Sequence, residues 1–316
     1  MCSQGAIIRV SSGTVPALLP PAPPGGRLIV QFNGPLESGE HERLGALLAE
    51  RPDTVLRAYD GPGMPDDLGF LAHYPCLAHL QIDLLRLKGL DGLAALPDTL
   101  SSLWIGETVS PAGSLRVLER FTGLEELGLD GHVRDIAAIG RLTGLRRLTL
   151  RRITLPDLSP LLPLRNLRDL EITLGGTRDL ALLPEIGRLR RLDLYRVRKL
   201  SDLGFVSRLS ELQWLGLQAL GNVGALPSLA PLRRLRRVAL ETMKGITDFR
   251  PIAAAPALEE LSLIDMKHLQ SEHLRPLVGH PNLKAAVIGL GSFKRNAAGA
   301  DLLGVSDRLR DPFEFV

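Results

Sequence analysis

One short phrase, Leu-x-x-Leu-x-Leu or a near variant, begins ten times in this chain. The copies start at Leu77, Leu100, Leu124, Leu145, Leu167, Leu189, Leu212, Leu235, Leu258 and Leu283. Neighbouring copies lie 21 to 25 residues apart. Self-similarity at a period of roughly 20–29 residues predicts a solenoid rather than a globular core. The last two leucines of each phrase, such as Leu127/Leu129 and Leu192/Leu194, sit two apart. Residues two apart share one face of a strand. A second apolar series follows at a spacing of three, as in Ile136, Ile139, Leu142 and Leu180, Leu183, Ile186. That spacing suits a 3₁₀ or short helical return. Each repeat is therefore predicted to be one strand and one short return, burying its leucines only by stacking on its neighbours.

Five of the returns open on an aspartate: Asp135, Asp157, Asp179, Asp202 and Asp248. These carboxylates are predicted to cap free amides, not to do acid–base work. Pro160, Pro184, Pro231 and Pro251 fall in the returns, where no ladder donor is needed.

These features resemble the leucine-rich repeat proteins, most closely the short bacterial, internalin-like repeats of about 22–23 residues. The resemblance covers residues 77–290. It implies an α/β solenoid, a horseshoe or arc with parallel strands on the concave face and short helices or 3₁₀ turns on the convex face. It also implies protein binding through the concave face. One departure stands out. Where the family carries a ladder of asparagines, this chain has His132, Ile153, Gly175, Val197, Leu220, Met243 and Met266. The turn amides must then be satisfied by backbone or water.

Around the array, residues 1–26 read as a flexible Pro-rich leader and 27–76 as atypical N-terminal capping repeats. Residues 28–32 and 54–59 read as strands and 40–50 as a helix with Leu44, Leu47 and Leu48 inward. Residues 291–316 read as a C-terminal cap whose Phe293, Phe313 and Phe315 seal the last leucine layer. No apolar run reaches the roughly 18 residues of a spanning helix. Cys2 and Cys76 form no pairing or metal pattern. These points place the chain in the cytoplasm, and its arginine-rich composition suits a GC-rich bacterial genome. A monomer is the favoured state.

Residues alternating with the strand leucines are predicted to line the concave face. One column runs Arg147, Asp169, Arg191, Trp214, Arg237, Glu260; the next runs Trp104, Gly128, Thr149, Glu171, Asp193, Gly216; a third includes Asp130, Arg151, Thr173, Tyr195, Gln218 and Glu241. Both tryptophans of the chain fall in these columns. Aromatic residues and arginine dominate binding hot spots. The partner-binding candidates are therefore Trp214, Arg191, Arg237, Tyr195, Trp104, Arg147, Arg151, Glu171 and Asp193. Trp214 is expected between Arg191 and Arg237, within cation–π range. Arg147 with Asp169, and Asp169 with Arg191, are expected to pair across strands.

Net charge is −7 over residues 1–140, +11 over 141–240 and −1 over 241–316. The central excess, including Arg146, Arg165, Arg168, Arg188, Arg190, Arg233, Arg234 and Arg236, predicts a basic band at the strand starts. Such a band raises association rates with acidic partners. It also gives an alternative function, binding an anionic polymer such as nucleic acid, though no nucleic-acid-binding motif supports it. No phosphate loop, nucleophile elbow or zinc-protease motif occurs. His268 and His273 are spaced unlike metal ligands on a helix. The chain thus reads as a non-catalytic scaffold, adaptor or inhibitor with no cofactor, no metal and no membrane, binding a protein partner that the sequence does not name.

Overall fold

The computed structural model describes residues 6–110 and 113–316. Cys2 lies outside the described residues, and Cys76 is exposed with a free thiol. Thirteen strands occupy one sheet in their order along the chain, with neighbours parallel. This is the leucine-rich repeat fold. The chain divides into two compact units, Met1–Leu150 and Arg151–Val316.

The first unit holds β1 (Ala6–Val10), β2 (Leu28–Phe32), α1 (Ser38–Ala49), β3 (Val55–Tyr59), β4 (His79–Asp83), β5 (Ser102–Ile105) and β6 (Glu126–Asp130). β7 (Arg147–Arg151) ends at the division. The second unit holds β8 (Asp169–Thr173), β9 (Arg191–Tyr195), β10 (Trp214–Gln218), β11 (Arg237–Glu241), α2 (Arg250–Ala253), β12 (Glu260–Ile264), β13 (Ala285–Ile288) and α3 (Phe293–Leu303). Short 3₁₀ segments supply most of the returns, as the three-residue spacing predicts.

Within each unit, the strand leucines and the return residues form the aliphatic core. Leu127, Leu129, Leu192, Leu194, Leu261 and Leu263 are buried, and so are Ile139, Leu142, Leu183 and Ile186. Four of the five return aspartates cap as expected. Asp157, Asp179, Asp202 and Asp248 accept the amide two residues on at 2.7–2.9 Å. Asp135 departs from this. Its backbone is left-handed (φ 59°), and its carboxylate accepts the Ser114 hydroxyl instead.

The missing asparagines have a physical substitute. Ile153, Val197, Leu220, Met243 and Met266 are buried, so the turn is filled by an apolar column. The residue after each of β7–β11 turns into the left-handed region: Arg152, Leu174, Arg196, Ala219 and Thr242 have φ between 48° and 59°. Each donates its N–H to the last carbonyl of the next strand, at 2.8–3.0 Å. A left-handed non-glycine residue costs about 1–3 kcal/mol, so it persists only where its surroundings hold it. Here the next repeat does so.

Two terminal expectations need correction. The stretch read as a leader contributes β1, which pairs with β2 from Ala6↔Leu28 to Val10↔Phe32, and it buries Leu19. Phe293 does not seal the array, being 90% exposed, while Phe313 and Phe315 pack elsewhere. The predicted helix over 40–50 is α1, with Leu44 and Leu48 buried and Leu47 half-buried.

Candidate functional site

Parallel pairing sets Trp214 of β10 in register with Arg191 of β9 and Arg237 of β11. Both guanidiniums lie over the indole, their carbons 4.7 and 4.6 Å from its centroid. The indole N–H donates to Asp193 Oδ1 at 3.2 Å, and Arg191 Nε donates to Asp193 Oδ2 at 2.5 Å. A Cβ on Gly216 would overlap Asp193 Oδ1, so glycine makes room for the carboxylate that fixes the ring. The expected cluster of Trp214, Arg191, Arg237 and Asp193 therefore exists. Tyr195 is half-buried at the far end of β9, in register with Gln218, under the Arg196 guanidinium (5.3 Å).

Arg237 flanks Trp214 as expected, but it is withdrawn from water, which a partner-binding candidate should not be. Its side chain is buried and ion-pairs with the equally buried Glu260, its partner in register on β12. Glu260 also accepts the Arg310 amide at 3.0 Å and Arg310 Nε at 3.2 Å. Beside it, burial pushes the Glu259 carboxyl upward, but Lys284 and Arg236 outweigh this and hold it below the ordinary carboxylate value. The charges at these strand starts are joined to residues 310–316, which cross them. Phe313 meets the Trp214 ring edge-on at 5.3 Å, and Phe315 packs on Phe313 at 5.0 Å. Sequence columns alone could not show this cover. Its signal is the run Phe313-Glu314-Phe315 beyond the last repeat in a chain with few aromatics.

The first unit holds a second tryptophan built on the same plan. Trp104 donates its indole N–H to Asp83 Oδ1 at 3.2 Å, and Arg57 Nε donates to Asp83 Oδ2 at 2.7 Å. A Cβ on Gly106 would overlap Asp83 Oδ1, and one on Gly128 would overlap the Trp104 ring. Arg57, Asp83, Gly106 and Gly128 were missed as supports. The readable signal was Trp-Ile-Gly at 104–106 and Trp-Leu-Gly at 214–216, each with an aspartate 21 residues before the tryptophan.

Arg147, expected to pair across strands with Asp169, pairs with Glu126, which also binds Arg27 at 3.2 Å. Asp169 lies in register beside Arg191. Arg151 is exposed and Glu171 half-buried. Asp130 and Thr173, from a column expected to face outward, are buried. Much of the basic band is also engaged: Arg146 with Glu125, Arg234 with Glu211 and Arg236 with Glu259. His268 and His273 bond locally, to the Ile246 carbonyl and within the Gln270 cap. Among the described residues, no three His, Cys, Asp or Glu are grouped to hold a metal, and no helix is long and apolar enough to cross a membrane.

No protein-family model matches the sequence, and no curated protein matches it. Solved structures do. An internalin from Listeria monocytogenes is similar over 81% of this chain and 77% of its own, at 20% identity and a TM-score of 0.50. Internalin C2 from the same species covers 68% of this chain and 81% of its own, at 21% identity and a TM-score of 0.41. A leucine-rich repeat protein from Leptospira interrogans covers 94% and 93%, at 15% identity and a TM-score of 0.45. At these identities the likeness speaks to fold alone.

Proposed function

We propose that this chain is a non-catalytic, cytoplasmic protein-binding scaffold whose partner is recognised on the strand face around Trp214. The observation that carries this reading is the clamped indole. Two guanidiniums and a carboxylate fix one large aromatic on a parallel sheet, so little side-chain entropy remains to be lost on binding. Nothing in the aliphatic core needs a tryptophan there, because Leu215 and Leu217 already fill the buried side of β10. The cytoplasmic reading is supported by the exposed free thiol of Cys76. Binding of an anionic polymer gains no support from strand-start arginines that are already paired.

The test is capture from a lysate of the source organism, comparing the full chain with Trp214→Ala. A protein retained by the wild type and lost by a folded Trp214→Ala chain is the expected result. Equal capture by both overturns the reading. Nucleic acid released by salt, with no effect of the substitution, transfers the function to the basic band.

A further inference from the structure

Beyond α3 the chain reverses across the second unit. Ser306 bridges to Ala285 at the start of β13, and the segment then passes the starts of β12, β11 and β10 in turn. Most of its polar anchors hold main chain. Arg237 donates to the Arg310 carbonyl and Arg236 Nη1 to the Glu314 carbonyl at 2.9 Å. Gln213 is only 1% exposed, yet its side-chain amide accepts the Val316 N–H at 2.8 Å and donates to the Val316 main-chain oxygen at 2.5 Å. A buried amide aimed at another segment's backbone N–H and oxygen is how a groove reads an extended peptide of any sequence. Side-chain selection is added by Trp214 and by the Arg236 and Arg237 guanidiniums, 5.5 and 4.8 Å from the Phe313 ring.

The occupant is held through its main chain, Arg310 and Phe313, and most of its other side chains face water. Residues 310–312, 314 and 316 are exposed, and Phe315 keeps 37% of its surface in water. Its acidic side chains, Asp311 and Glu314, suit a face rich in arginine. We infer that the surface formed by Gln213, Trp214, Arg236, Arg237 and Glu260 is a peptide-binding groove for an extended partner segment carrying aromatics two residues apart with an acidic residue between them. Residues 310–316 occupy it in cis until such a segment displaces them. This rests on the partner-binding reading above and names the partner's chemistry. An occupied groove lowers apparent affinity by the fraction that stands open, and a tethered competitor acts at high effective concentration.

The test uses the full chain and a fluorescein-labelled peptide of residues 308–316 supplied in trans, followed by anisotropy. Phe313→Ala/Phe315→Ala, which loosens the cis segment, is expected to bind the peptide at least about tenfold more tightly than wild type. Adding Trp214→Ala, or replacing both phenylalanines of the peptide by alanine, is expected to abolish that gain. Unaltered far-UV dichroism and melting show that the loosened chain is folded, and Phe315→Ala alone is expected to fall between. A folded, loosened chain that binds the peptide no better than wild type overturns the inference. The two readings fail separately. A protein captured through Trp214 equally by wild-type and loosened chains keeps the partner site but removes the displaceable occupant. Tight peptide binding with no captured protein keeps the groove and removes the scaffold role.

Discussion

Trp104 and Trp214 are held by the same parts and end in different surroundings. In each, an aspartate one repeat earlier accepts the indole N–H at 3.2 Å, an arginine fixes its second oxygen, and a glycine two residues after the tryptophan leaves the carboxylate room. The difference lies on the following strand. Trp104 is in register with Gly128, and its ring lies over the space a side chain would fill. Trp214 is in register with Arg237, and its ring is clamped by two guanidiniums and covered by Phe313. Among the described residues, no ring or guanidinium covers Trp104 in this way. One neighbour, glycine or arginine, thus separates a ring laid on the sheet from a ring set in a charged and occupied groove.

The sharpest way to break this comparison is to remove the arginine from each. Arg237→Ala leaves Glu260 buried without its principal partner, and is expected to destabilise the second unit by about 3–5 kcal/mol. Arg57→Ala acts on a pair that water partly screens, and is expected to cost about 1 kcal/mol. Urea unfolding, followed through Trp214 in a Trp104→Phe chain and through Trp104 in a Trp214→Phe chain, measures each. Equal losses would mean that Arg237 is no more structural than Arg57.

Next in size is Gly128→Ala, whose Cβ overlaps the Trp104 ring. It is expected to cost about 1–3 kcal/mol by overpacking and to shift the Trp104 emission. Gly216→Ala meets chiefly the movable carboxylate of Asp193, with the Trp214 indole nitrogen next at 3.3 Å. It is expected to perturb the Trp214 spectrum with a smaller loss of stability. The reverse order would contradict the assignment of Gly128 as the seat of the ring.

The smallest expected effect separates the units by acid. Burial, and then the neighbouring charge of His73, hold His41 below an ordinary histidine's 6.5. The unfolded chain therefore takes up this proton first. The associated stability is complete above about pH 6.5 and is lost as pH falls through the lower folded value. Glu259 in the second unit is a depressed carboxyl, so its contribution is present above about pH 4.5 and lost only below it. Between about pH 7 and pH 5, the Trp104-reported urea midpoint is expected to fall further than the Trp214-reported one. His41→Gln should reduce that difference, leaving the part owed to His79, which burial also holds below its ordinary value; a difference unchanged by the substitution would remove His41 from the account.

The repeat made most of the fold legible. Strand register, the inward leucines, the 3₁₀ returns and four aspartate caps all follow from spacing, because each repeat faces the same local constraints. The Trp214–Arg191–Arg237 neighbourhood was legible for the same reason, since equal positions on adjacent strands must meet. The rest depended on contacts at long sequence separation. Arg237 reads as a partner-binding candidate until Glu260 is known to share its burial. Phe313 reads as cap packing until the chain beyond α3 is seen to turn back over β10. Strand β1 was hidden because its partner lies beyond a proline-rich stretch.

The most direct test of the covered and uncovered tryptophans is acrylamide quenching of the two single-tryptophan chains, each with and without Phe313→Ala. Removing Phe313 is expected to raise quenching of Trp214 clearly and to leave Trp104 unchanged. Trp214 quenching indifferent to Phe313, in a folded chain, would contradict the cover on which the groove depends.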